Sequence, residues 1–119
     1  MKRRILSVSL LALVAGPAVA ADVRLDSYRH PQNERFREFN QLYLDGVRAG
    51  LMSYNARLKT HGGQLAFCMP DNLVLTADKS EEIMLRSAEK RSAKGDMLVS
   101  ILLLSGLTDE FPCDKSAGR

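Results

Sequence analysis

The sequence predicts an all-α fold, a small helical bundle of three to five helices held by one disulfide. Three observations predict it. Apolar residues recur at steps of three and four from Phe36 to Leu58, the spacing of one helical face. Met97 to Leu104 is apolar at every position except Ser100, as in a helix buried on all sides. The chain also carries two cysteines, Cys68 and Cys113, an even count that a single bridge satisfies.

The amino terminus reads as an export signal. Met1-Lys2-Arg3-Arg4 is a positive cluster, Ile5 to Ala15 is apolar apart from Ser7 and Ser9, and Gly16-Pro17 breaks any helix. Ala18-Val19-Ala20 then offers the small-x-small site that a signal peptidase requires. A membrane span needs about 20 apolar residues, and this run is shorter. Residues 1–20 are therefore expected to be a cleaved signal peptide, leaving residues 21–119 as one helical domain in the bacterial periplasm. No Cys stands at the new amino terminus to accept a lipid. The signal holds Lys2, Arg3 and Arg4 and no acid, so 14 basic and 14 acidic residues remain and the net charge falls from +3 to zero. The pI of 9.1 thus reflects mostly the discarded segment, and nothing points to nucleic acid.

The elements follow in order. Ala21 to Tyr28 is patternless and is expected to be a loose arm. Pro31 marks a helix start, and a long amphipathic helix runs to about Lys59. Its stripe of Phe36, Phe39, Tyr43, Val47, Leu51, Tyr54 and Leu58 is expected to face the core, and Gly62-Gly63 ends it. Gly46 and Gly50 sit at the stripe's edge. In a membrane such a pair would suggest a dimer seam; in a soluble helix tight packing within the domain is preferred, because Gly weakens a helix and needs a packing reason.

Leu65 to Pro70 is expected to be an extended connector anchored by Cys68, and Leu73-Val74-Leu75 has no evident strand partner. Thr76 and Asp78 are both candidate N-caps, with Asp78 and Glu81 spaced as a capping box. A second helix should span about Lys79 to Ala93, with Glu82 and Arg86 paired on its wet side. Gly95 breaks it and Asp96 caps a third helix, which Gly106 ends. The aromatic stripe should meet Leu98, Ile101, Leu102 and Leu104. Asp114 to Arg119 is a polar tail.

Catalytic chemistry has little to draw on. In an oxidising compartment Cys68 and Cys113 are expected to pair, which removes them as nucleophiles or metal ligands. They do not form a Cys-x-x-Cys redox motif. The only histidines, His30 and His61, flank the long helix roughly 45 Å apart. Glu81-Glu82 and Asp109-Glu110 are adjacent pairs that do not face each other on a helix. No Gly-rich phosphate loop is present. No cofactor or metal is expected, and a binding role is preferred to an enzyme.

A resemblance sharpens this. Tyr43-Leu44-Asp45-Gly46-Val47 on a helix closed by Gly62-Gly63, then Phe67-Cys68-Met69-Pro70, then Leu75-Thr76 opening a helix, then an apolar helix and Phe111-Pro112-Cys113 resemble small periplasmic immunity proteins. These protect type VI secreting bacteria against peptidoglycan amidase effectors. The likeness covers about 70 residues, much of one domain. The sequence departs from the family pattern at Ala93-Lys94-Gly95, where a proline-containing break is expected. The resemblance implies an all-helical fold with one disulfide and inhibition by occluding the effector's cleft. The expected partner is that amidase, with a homodimer as a second association and no membrane contact once the signal is removed. The candidate effector-binding segment is Arg91 to Asp96, through Arg91, Ser92, Lys94, Gly95 and Asp96, although a plain solvated connector fits the same residues. A small acid-stress chaperone and an accessory subunit of an envelope complex are the alternatives.

Overall fold

Helices α1 (Leu25–Arg29), α2 (Glu34–Thr60), α3 (Ala77–Lys90) and α4 (Val99–Glu110) follow one another along the chain. They come from a computed structural model that describes residues 22–114. The expected signal at residues 1–20 and residues 115–119 of the polar tail lie outside this range. The fold is all-α, held by a Cys68–Cys113 disulfide with Cα atoms 4.9 Å apart.

The core centres on α3 and α4. Ile83, Met84 and Ala88 of α3 pack with Val99, Leu102, Leu103 and Leu107 of α4, all buried, together with Leu25, Phe67 and Leu75. The two helices meet at Gly106. A Cβ built there would lie 2.7 Å from Ile83 Cγ2 and 2.8 Å from the Ile83 carbonyl oxygen. Gly106 therefore does not end the third apolar helix, as expected from its sequence, but sits inside α4 because only a bare Cα fits against α3. Nor is Asp96 its cap. Leu98 holds the N-cap position, and Asp96 lies in a turn where the Met97 amide donates to the Lys94 carbonyl at 3.1 Å.

The amino-terminal arm is not loose. Val23, Leu25 and Tyr28 are buried, and the Leu25 amide donates to the Met97 carbonyl at 2.8 Å while the Val99 amide donates to the Val23 carbonyl at 3.0 Å. Arg24 and Leu98 thereby form an isolated antiparallel bridge. Three anchors spaced over six residues are too few to show a period, so they are not legible in the sequence.

The long helix begins at Glu34, with Asn33 as N-cap accepting from the Phe36 amide at 3.2 Å. At its end Gly62 takes φ +68°. The Gly63 amide donates to the Leu58 carbonyl and the Gly62 amide to the Lys59 carbonyl, the two bonds of a Schellman cap. Of the two candidates, Thr76 caps α3, accepting from the Lys79 amide at 3.2 Å. The expected Glu82–Arg86 pair is present.

The orientation of α2 differs from expectation by about 60° about its axis, counted at about 100° per residue. Its inner face carries Asn40, Leu44, Val47, Leu51 and Asn55, with Leu44 3% exposed. Phe36, Phe39 and Tyr54, assigned to the core from sequence, are 47%, 46% and 61% exposed. Two asparagines explain the rotation. Asn40 Nδ2 donates to the Ser27 carbonyl at 2.9 Å. Asn55 Nδ2 donates to the Phe67 carbonyl at 2.8 Å, and its Oδ1 accepts from the Ala66 amide at 3.0 Å. They turn toward the protein because α1 and the connector offer backbone groups that need partners. Gly46 and Gly50 are both exposed, with open space where a Cβ would stand, so the internal-packing explanation for them does not hold.

Candidate functional site

Arg91 to Asp96 joins α3 to α4 at the surface. Arg91, Ser92, Lys94, Gly95 and Asp96 are all exposed, with only Ala93 half-buried between them. The first part is a second Schellman cap: the Ala93 amide donates to the Ala88 carbonyl at 2.9 Å and the Ser92 amide to the Glu89 carbonyl at 3.0 Å. The left-handed position of this cap is usually glycine. Here it is Ser92, at φ +47°.

The loop is pinned at both ends. On one side the Arg91 guanidinium bonds Ser87 Oγ and Asp109, each at 2.9 Å. On the other the Asp26 amide donates to the Gly95 carbonyl at 2.9 Å. A Cβ on Gly95 would stand 3.0 Å from Asp26 Cβ, so α1 lies close against the loop's second half. Lys94 and Asp96 project between these anchors with no ion pair to any described residue. The segment is thus a short polar projection on a fixed base.

Charge concentrates beneath it. Asp109 receives Arg91 and, at 3.1 Å, Lys90. Hydrogen bonding from Arg91 first and Lys90 second holds its carboxyl below the ordinary value of 3.8. Arg86 reaches Glu110 at 2.9 Å. The adjacent acids Asp109 and Glu110 thus tie α4 to the end of α3. Tyr28, buried beside α3, donates to Glu81 at 2.9 Å. Burial, and then that hydrogen bond, push its phenol well above the ordinary tyrosine range.

Two further surfaces stand apart from the loop. An open groove of about 350 Å³ between α1 and the start of α2 is lined by Asp22, Asp26, His30, Phe36 and Phe39. Farther along α2, Leu42 and Tyr54 are also exposed, at 73% and 61%. His30 and His61 lie at opposite ends of α2, as their positions in the sequence require. Among the described residues no group of three or more His, Cys, Asp or Glu is placed to hold a metal ion. No described helix is long and apolar enough to cross a membrane. The disulfide is compatible with an oxidising compartment.

Sequence reasoning found the disulfide and the exposed loop. It missed Asp109 and the two asparagines, whose roles depend on which backbone and charged groups the fold brings beside them. Their one sequence signal was a polar residue at core spacing: Asn40, Leu44, Val47 and Leu51 follow steps of three and four.

No family model, curated protein or solved structure matches this chain.

Proposed function

We propose that the chain is a periplasmic immunity protein that binds a type VI secreted peptidoglycan amidase and occludes its cleft. The observation that carries the reading is the Arg91–Asp96 projection, exposed along most of its length yet anchored through Arg91, Gly95 and the Schellman cap. An inhibitor that acts by contact gains from such preorganisation, because little conformational entropy is left to lose on binding. Its resemblance in both cysteine contexts, and a leader pattern that directs it to the compartment where cell-wall effectors act, support the same reading.

The test expresses the chain with and without residues 1–20 in cells receiving the amidase encoded beside it. Protection should require the leader, since a cytoplasmic inhibitor sits on the wrong side of the membrane. Exchanging the two exposed charges, Lys94→Glu with Asp96→Lys, should weaken inhibition while leaving the melting temperature within a few degrees. Protection without export, or no binding to that amidase, would end this reading.

The exposed aromatics of α2 favour a second reading, a small acid-stress chaperone that captures apolar segments of other proteins. Dye binding and circular dichroism between about pH 7 and about pH 2 separate the two, because a chaperone of that kind loosens and exposes apolar surface in acid. A fold that stays cooperative at low pH favours the immunity protein.

A further inference from the structure

We propose that the groove between α1 and the start of α2 binds an arginine side chain presented by a protein partner, with the guanidinium held between carboxylates from the α1 side and phenyl rings of α2. The inference does not rest on the immunity reading. It begins from two walls of different chemistry. Asp26 and His30, four residues apart at the two ends of α1, share one side of it, and Asp22 joins them in lining the groove. Phe36 and Phe39, three residues apart, line the α2 side and are both exposed. The space is about 350 Å³, at the small end of the range of about 300–1,000 Å³ usual for ligand sites. That suits one side chain better than a packed helix.

Both walls are fixed before anything binds. The Leu25 and Asp26 amides donate to the Met97 and Gly95 carbonyls at 2.8 Å and 2.9 Å, and Leu25 and Tyr28 are buried, so α1 is held although it is only five residues long. The Asn40 bond to the Ser27 carbonyl ties the start of α2 to it. A preformed site loses little conformational freedom on binding.

Charge says what fills it. The lining holds two carboxylates and no Lys or Arg, and neither Asp22 nor Asp26 makes an ion pair with any described residue. Asn40 adds an unused acceptor. It lines the groove and is 5% exposed; its Nδ2 is engaged by Ser27, and its Oδ1 accepts from no described residue. Among the described residues no buried side-chain oxygen lacks a partner, so this oxygen opens onto the space that Asn40 lines. Asn40 also borders a smaller groove containing Arg29 and Arg37; of the two, the acidic groove alone has no Lys or Arg of its own. Carboxylates, an amide oxygen and two aromatic faces together suit a cation with an apolar stem. Arginine fits better than lysine, because its planar guanidinium donates to a carboxylate in pairs and stacks on a ring, whereas an ammonium is compact and strongly hydrated. A free amino acid fits less well, because its own carboxylate would face Asp22 and Asp26 with no Lys or Arg in the lining to hold it. Exposed charge pairs are weak singly, so the groove is one anchor within a larger contact, a place where arginine is common.

The experiment titrates the purified chain with N-acetyl-arginine amide. Nuclear magnetic resonance follows the Asn40 side-chain amide and the Phe36 and Phe39 rings. These signals should shift together with a dissociation constant of about 1–10 mM. N-acetyl-citrulline amide, the neutral isostere, should bind at least about fivefold more weakly, as should N-acetyl-lysine amide and free arginine. Asp26→Asn and Phe39→Ala should each weaken the arginine probe at least about fivefold with the melting temperature within a few degrees of wild type. Asp71→Asn, beside Lys59 at the far end of α2, should leave binding unchanged. No shift at about 100 mM probe would overturn the proposal, and so would equal binding of the citrulline or lysine compound. Free arginine binding as tightly as the amide would overturn the protein partner in favour of a small molecule. Binding that appears only after Lys94→Ala would assign the groove to this chain's own lysine and overturn the proposal as well. If Asp26→Asn fails to fold, Asp22→Asn is read in its place.

Discussion

Replacing Gly106 by alanine tests the contact on which the core is built. In an exposed helix the change would stabilise by about 1 kcal/mol, because alanine loses less backbone freedom than glycine. At Gly106 the new methyl meets Ile83 Cγ2 at 2.7 Å and the Ile83 carbonyl oxygen at 2.8 Å, with Ser87 Cβ at 3.1 Å. The Cγ2 could swing aside, but the carbonyl belongs to α3's own hydrogen-bond ladder and cannot. The helices must separate, which opens space around Met84, Leu103 and Leu107. Overpacking of this kind costs about 1–3 kcal/mol, and the backbone contact places this site at the upper end. Against the propensity gain the net loss is about 2 kcal/mol, a fall in melting temperature of roughly 10 °C for a domain of this size. Gly46→Ala is the control, an identical change on open surface that should raise the melting temperature in dilute solution by a few degrees. Thermal unfolding of both variants followed at 222 nm, the helical band, gives the answer. If Gly106→Ala stabilises the chain as Gly46→Ala does, α3 and α4 do not meet at this glycine.

Removing both cysteines, Cys68→Ala with Cys113→Ala, should cost about 4 kcal/mol in a urea titration, the chain-entropy value for a loop of 45 residues' separation. A loss below about 1 kcal/mol would mean that the bridge adds little to a loop already held by packing. Ser92→Gly should stabilise by about 1 kcal/mol, because glycine has no Cβ to oppose the left-handed backbone; an unchanged urea midpoint would count against the φ +47° conformation. Asp109 gives a pH dependence with a definite sign. Its carboxyl is depressed in the folded state, so its contribution is whole above the ordinary carboxylate value and is lost as pH falls through the folded one. Urea midpoints below about pH 4 should therefore fall less steeply in Asp109→Asn than in wild type, and equal acid slopes would remove Asp109 as an anchor of the loop.

Much of this fold was legible where local chemistry decides. The glycine turn after α2, the Thr76 cap and the cysteine pairing each depend on a few neighbouring residues or on a count of two. The face of α2 was not legible in the same way. Apolar periodicity weights Phe and Tyr as core and Asn as solvent, and here Asn40 and Asn55 turn inward while Phe36, Phe39 and Tyr54 turn out. The interior is small, and α4 with α3 fills it using Leu, Met, Ile and Val. What remains for α2 to supply is hydrogen-bonding partners for the backbone of α1 and of the connector. Gly106 misled for a related reason. A glycine after an apolar run marks a helix end in isolation, and only the packed neighbour makes it a point of closest approach. In the candidate loop the exposure of Arg91 to Asp96 followed from its polarity, but the anchoring through Asp109 and Asp26 required the tertiary fold.

The two inward asparagines also determine where α2 can sit along its own axis. Leu44, Val47 and Leu51 present a fairly uniform apolar ridge, and such a ridge could slide by one turn, about 5.4 Å, with little change in buried area. The amides cannot follow. A slide of one turn would separate Asn40 from the Ser27 carbonyl and Asn55 from both the Phe67 carbonyl and the Ala66 amide. A buried polar group left unpaired costs about 1–3 kcal/mol, and with Asn40 buried and Asn55 half-buried the shifted registers lie above the native one. The asparagines thus act as detents on a helix that hydrophobic packing alone would leave free to creep. Through them the outer aromatic face keeps one fixed address relative to α1, and through α1's bond to Gly95 it keeps one relative to the loop.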